Sequence, residues 1–138
     1  MSSHAEDYII TRLKEARESI EEARVLLNHQ MLRGAINRMY YACFYGVEGL
    51  LWTKRLRFSK HSGVLSTFQQ HWVHAGKLPP EMGKFYAQLF DWRLKGDYKE
   101  AQFSQEQVES WYTAATEFLE TIAVQITDFL EGRGESGQ

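Results

Sequence analysis

Proline occurs at a single place in this chain, the adjacent pair Pro79–Pro80, and that scarcity does most to limit the fold. A proline inside a helix removes a backbone donor and clashes with the preceding turn. The long stretches on either side are free of that obstacle, and they carry the helical period. Ile9, Leu13, Ala16, Ile20, Ala23 and Leu27 recur every three or four residues, which lines one face of a rod with 3.6 residues per turn. Val108, Trp111, Ala115, Phe118, Ile122, Ile126 and Phe129 form a second such stripe near the other end. No segment alternates convincingly with the period of two that a half-buried strand requires. The pattern predicts an all-α chain, an up-and-down bundle of about five helices.

The punctuation places the helices. The first is expected over 3–29, with Ser2 or Ser3 as its cap. A tight connection leads to the second, over 32–54, so the two should lie antiparallel. From Ala35 to Leu51 the second helix is apolar on nearly every side, which predicts a central position with a subunit interface as a further use. Ser59 is the expected cap of a third helix over 60–74, with Val64, Leu65, Phe68 and Trp72 inward and Gly76 as its stop. The proline pair suits the start of a fourth helix over 80–95, with Met82, Phe85, Tyr86, Leu89 and Phe90 inward and Gly96-Asp97-Tyr98 closing it. Ser104-Gln105-Glu106-Gln107 fits a capping box for the last helix. No repeat or linker divides the chain, so one domain over 3–131 is expected, followed by a polar, disordered tail over 132–138.

Charge and cysteine usage narrow the setting. The formal charge is −2 and the pI about 6.2, which argues against a generic polyanion binder while leaving room for a local basic patch. Cys43 is the only cysteine, so no intramolecular disulfide forms and a reducing compartment fits. It lies in the apolar run Tyr40–Phe44 and reads as a buried, inert thiol. The first ten residues lack a basic start with a long apolar stretch, and no run reaches the length of a membrane span. A cytoplasmic protein without a membrane partner is expected. His71 and His74 stand three apart, but no third ligand joins them, so neither a metal nor another cofactor is expected.

Three segments can carry chemistry. Arg38, Tyr41 and Tyr45 fall along one helical face at offsets of three and four. An arginine beside phenols can bind a phosphate and stack on a base, or it can be tied to a carboxylate inside the bundle. Lys54, Arg55, Arg57, Lys60 and His61 lie within eight positions, where the third helix begins. Free N–H groups at a helix start favour an anion, and His61 can exchange a proton near neutral pH; the alternative is a solvated loop. In the third segment, Arg93 complements a helix end and Asp97 can pair with an arginine of another helix, a structural role for Asp97 and Tyr98.

Together these segments resemble a known family. Arg33-Gly34-Ala35-Ile36-Asn37-Arg38-Met39-Tyr40-Tyr41-Ala42 resembles the R-x-Y-Y-A signature of small HEPN-domain proteins. Lys60-His61-Ser62-Gly63 is similar to the lysine–histidine–glycine turn that follows it in that family, and Arg93-Leu94-Lys95-Gly96-Asp97-Tyr98 to its R-x-x-x-D-Y close. Order and spacing match the stand-alone, toxin-like prokaryotic branch over about residues 9–129. The resemblance implies a four-helix core that commonly dimerises and a nucleotide- or RNA-related role. Many members are toxins paired with a small nucleotidyltransferase, and active members are metal-independent ribonucleases with an R-x(4–6)-H motif. Arg55 and His61, with five residues between them, satisfy that spacing; Arg38 and Arg93 are the other arginines that can meet His61 in space. The resemblance thus implies His61, Arg55 and Arg38 as catalytic candidates and Arg38, Tyr41, Tyr45, Arg57, Lys60 and Arg93 as nucleotide or RNA contacts. A non-catalytic interaction module and a structural homodimer are the alternatives.

Overall fold

A computed structural model describes residues 3–95 and 102–132. It contains five α-helices: α1 (Ser3–Asn28), α2 (Leu32–Trp52), α3 (His61–Phe68), α4 (Pro80–Lys95) and α5 (Gln105–Leu130). The described residues contain no strand. The expected all-α bundle is what the chain forms. No helix among the described residues is long and apolar enough to cross a membrane.

The helix α2 is the hub because its apolar residues are not confined to one stripe. Ala35, Ile36, Met39, Tyr40, Cys43, Val47, Leu50 and Leu51 are all buried, and they meet α1, α3, α4 and α5 in turn. Ile9, Ala16, Ala23 and Leu27 of α1 are wholly buried, as are Val108, Ala115, Ile122 and Ile126 of α5. Burying a side chain of leucine or isoleucine size contributes about 1.5–3 kcal/mol, so these seams hold the bundle together. Gly46 and Gly49 let the neighbours come close. A Cβ at Gly46 would stand 3.1 Å from Leu119, and one at Gly49 would stand 3.4 Å from Arg12. At the rim Arg24 of α1 donates to both carboxylate oxygens of Glu109 of α5, at 3.0 and 2.9 Å.

Three helix ends are made by turns of one kind. At the end of α1, Met31 N–H donates to Leu26 and Gln30 N–H to Leu27, with Gln30 left-handed at φ 57°. This is a Schellman stop. Arg55, at φ 59°, plays the same part after α2: Leu56 N–H donates to Leu51 and Arg55 N–H to Trp52. Gly76, at φ 81°, does so beyond α3, through Lys77 to Trp72 and Gly76 to Val73. The basic connector is therefore partly an ordered helix stop.

Several boundaries depart from the sequence pattern: α1 stops at Asn28 and α2 at Trp52, one and two residues early, and Ser59 does not cap α3. The third helix begins at His61, one residue late, because Lys60 is the N-cap in an extended conformation, and no side chain caps the helix. The helix also does not run evenly to residue 74. Beyond Phe68 it widens into a π-helical turn, Gln69–Val73, closed by His74 N–H to Gln69 at 2.7 Å. There the Gln69 side chain donates across to the Gly83 carbonyl of α4 at 2.9 Å. Ser104 does cap α5, accepting from Gln107 N–H at 3.0 Å. Ser2, Gly96, Asp97, Tyr98 and residues 133–138 lie outside the described residues, and with them the expected α4 exit and most of the tail.

Candidate functional site

Helix α2 positions the centre of the site through its repeat. Arg38 and Tyr41 are three residues apart and share a half-buried face, while Tyr40 points about a third of a turn away into the core. Arg38 reaches α1, where its Nη2 donates to Ser19 Oγ at 2.9 Å and its Nε lies 2.9 Å from the Glu22 carboxylate. That second contact is an ion pair bent out of hydrogen-bond alignment. The Arg38 guanidinium also stands 5.3 Å from the centroid of the Tyr41 ring.

Arg93 arrives on Tyr41 from α4. Its Nε and Nη2 both donate to the Tyr41 hydroxyl, at 3.1 and 2.8 Å, and its guanidinium lies 5.3 Å from the Tyr40 and Tyr41 ring centroids. The acceptor is a phenol, which carries no charge. Tyr41 therefore orients the guanidinium without neutralising it.

His61, the first residue of α3, completes the group. Its ring stacks on Phe44 with centroids 4.1 Å apart and meets Tyr41 edge-on at 6.1 Å. Its Nδ1 is 2.8 Å from the hydroxyl of Tyr40. Burial, and secondarily the charge on Arg93, hold the imidazole below its ordinary pKa. Burial pushes the Tyr40 hydroxyl well up, against a smaller opposing pull from Arg93. Beside the two guanidiniums, the site thus presents an uncharged imidazole and a protonated Tyr40 hydroxyl at neutral pH.

The structure brings Arg38, Tyr41, His61 and Arg93 into one cluster and places the other expected residues beside it. Tyr45 neighbours Tyr41 at 5.7 Å, but its cation is Arg12 of α1, 5.1 Å from its ring. Arg12 in turn donates to Glu48 at 3.0 Å and pairs with Glu15. Burial raises the Glu48 carboxyl, with Arg12 opposing. Arg55 lies against Trp52 at 5.4 Å, and Arg57 against Tyr8 at 4.8 Å and Trp52 at 5.9 Å. Lys60 is exposed at the head of α3, directly before His61. Asp97 and Tyr98 lie outside the described residues.

Two contributors were not singled out from the sequence. Tyr40 and Phe44 read as core aromatics, yet both touch His61. Their offset of four was the available signal, since it puts both rings on one side of α2. Cys43 is fully buried, and burial raises its thiol far above the ordinary range. Among the described residues no three histidine, cysteine, aspartate or glutamate side chains converge to hold a metal.

Comparison with known proteins gives one family. Residues 11–126 match the HEPN domain. A UPF0332 protein of Thermotoga maritima is 46% identical over 116 residues, which is 83% of this chain and 88% of that protein. A Methanocaldococcus jannaschii protein named "Putative toxin" is 30% identical over 115 residues, covering 83% of this chain and 86% of its own length. A second protein of that organism with the same style of name is 33% identical over 86 residues, 62% of this chain and 58% of its own.

Proposed function

The chain belongs to the HEPN domain family, and from that premise we propose that it is a toxin-like protein that binds RNA at the Arg38–Tyr41–His61–Arg93 cluster and cuts it without a metal. The observation that carries this reading is the convergence of two guanidiniums on Tyr41 beside His61, with Arg93 held by an uncharged oxygen. A phosphodiester has the charge and the oxygen geometry that an oriented guanidinium recognises. Tyr41 and its neighbours offer ring faces for a base. In cleavage the ribose 2′-hydroxyl would give up its proton and attack phosphorus, the P–O5′ bond would break to leave a 2′,3′-cyclic phosphate, and the departing 5′-oxygen would take up a proton; His61 would carry one of these two protons, and arginine would stabilise the charge gathering on the phosphate oxygens. Arg38 and Arg93 are better placed for that task than Arg55, which rests on Trp52. A protein of this kind requires restraint, and the family resemblance supports a nucleotidyltransferase partner and a homodimer.

The test is an RNA digestion in EDTA, run beside fluorescence anisotropy with the same labelled oligonucleotide. Wild type should cleave, and His61→Ala should lower the rate by about 10²-fold or more. Binding without cleavage in wild type would remove the catalytic half of the reading; absence of both would end it. Co-purification with a co-expressed nucleotidyltransferase tests the partner.

A second reading follows from the links of Arg38 to Ser19 and Glu22, in which the arginine serves as a brace between α1 and α2. The Arg38 side chain is 30% exposed and that of Glu22 58%, so the ion pair itself contributes about 0–1 kcal/mol. On the RNA-binding reading, Arg38→Ala should cost only about 1–2 kcal/mol, mostly through the buried Ser19 hydroxyl it leaves behind, while abolishing RNA binding. A loss of about 3–5 kcal/mol, typical of breaking a buried pair, with binding retained in the folded fraction, would establish the brace instead.

A further inference from the structure

We propose that Tyr40 is a positioning residue that holds His61 as the neutral tautomer protonated at Nε2, so that the imidazole presents an N–H donor to whatever occupies the site. The proposal starts from the hydroxyl of Tyr40. Its residue is wholly buried, and its oxygen lies 2.8 Å from His61 Nδ1. A buried phenol hydrogen without an acceptor costs about 1–3 kcal/mol, so the direction of this bond matters.

The groups that face it decide that direction. From α4, Arg93 lies over the Tyr40 ring and has only hydrogens to offer. From α2, the Tyr41 hydroxyl already accepts from both Arg93 nitrogens, the Cys43 thiol is buried and protonated, and the Glu48 carboxylate is taken by Arg12; the Tyr86 hydroxyl of α4, on a ring 6.2 Å away, is buried but makes no hydrogen bond to Tyr40. From α3, His61 Nδ1 is an acceptor in the right place. If Nδ1 instead carried the proton and donated to Tyr40, the phenol hydrogen would be stranded in the core. With Tyr40 as donor, Nδ1 is satisfied and the proton of the neutral ring must sit on Nε2.

The surroundings fix the ring as well as the tautomer. Phe44 stacks on it at 4.1 Å, and Tyr41 meets it edge-on. Protonating Nδ1 would turn the Tyr40 bond around and add a cation beside Arg93, so the neutral form is favoured on both counts. The resting imidazole is then a hydrogen-bond donor, suited to a phosphoryl oxygen, and cannot accept a proton at Nε2 until the tautomer changes. What that donor meets rests on the RNA reading above; the tautomer does not, and it can be measured in the protein alone.

The experiment is nitrogen NMR of the uniformly labelled full-length protein, with the His61 signals assigned by their loss in His61→Gln. In wild type near pH 7.5, Nε2 should carry the proton and Nδ1 should show the shift of an unprotonated, hydrogen-bonded nitrogen. In Tyr40→Phe, which keeps the ring and removes only the hydroxyl, the two tautomers should exchange and the nitrogen shifts should move toward each other. Loss of helical signal in Tyr40→Phe would leave the wild-type spectrum to decide alone. A proton on Nδ1 in wild type, or a tautomer untouched in folded Tyr40→Phe, would overturn the proposal. The expected tautomer together with no RNA binding would retain it and defeat the RNA reading instead.

Discussion

Arg93 is the residue on which the electrostatics of the site turn. Among the described residues no carboxylate pairs with it, and its two donated bonds end on the Tyr41 phenol. The same charge helps hold His61 below its ordinary pKa, second to burial. Arg93→Gln should therefore raise the His61 pKa part of the way back toward its ordinary value, read by following the ring signals against pH. No change would mean that burial alone sets the imidazole. The linkage to stability has a definite sign. A histidine depressed in the folded state binds its proton more readily when unfolded, so its contribution is present above the unfolded value and lost as pH falls through that value toward the folded one. Wild type should weaken over that interval, and Arg93→Gln should weaken less. Much of this cluster was legible in the sequence, because an offset of three on a helix is fixed geometry: Arg38 and Tyr41 had to share a face. That Arg93 would join them follows from how α4 crosses α2, which no local pattern encodes. The role of Tyr40 was hidden for a related reason. A tyrosine in an apolar run looks the same whether its hydroxyl is idle or holds a histidine.

At the scale of the elements, helix interiors were readable and helix ends less so. The stripes of α1 and α5 marked buried faces because burial is what the 3.6-residue period reports. Gly76 was expected as a stop and is one, since only glycine reaches φ 81° without steric penalty. Gln30 and Arg55 make the same turn with a Cβ in the left-handed region, and nothing in their residue type announces it. The π-helical turn at Gln69–Val73 was equally silent, because the Gln69 bond to Gly83 is a contact between elements. A prediction follows for α1. A left-handed residue with a Cβ costs about 1–2 kcal/mol, while glycine gives back part of that in unfolded-chain entropy. Gln30 is exposed, and its side chain makes a single bond, to the Asn28 carbonyl at 3.2 Å. Gln30→Gly should therefore stabilise the protein by about 0.5–1 kcal/mol in urea unfolding. An unchanged or lower midpoint would show that the side chain, rather than the backbone, matters at this stop.

Across the whole molecule, a formal charge of −2 coexists with a continuous run of cations and rings. It passes from Arg93 to Tyr41 at 5.3 Å, to Tyr45 at 5.7 Å, to Arg12 at 5.1 Å, to Tyr8 at 5.4 Å and to Arg57 at 4.8 Å. Within it Arg12 is matched by Glu48 and Glu15, and Arg38 beside it by Glu22. Among the described residues Arg57 and Arg93 form no ion pair, although the Glu48 carboxyl feels the charge of Arg57; their contacts are with rings, so these two are the cations of the run best able to replace counterions on a nucleic acid. Each phosphate neutralised on a single strand steepens the dependence of log K on log salt by about 0.7. Two contacts give a slope near −1.4 for a short single-stranded RNA, on the order of what a small, specific surface would show. Arg93→Gln should reduce the magnitude by about 0.7, and Arg57→Gln should do the same if the strand follows the ring path as far as Tyr8. A strand held only at the His61 cluster would lose slope with Arg93→Gln alone. If neither substitution changed the slope, phosphate would not be what these guanidiniums meet, and the acidic balance of the rest of the surface would govern the association.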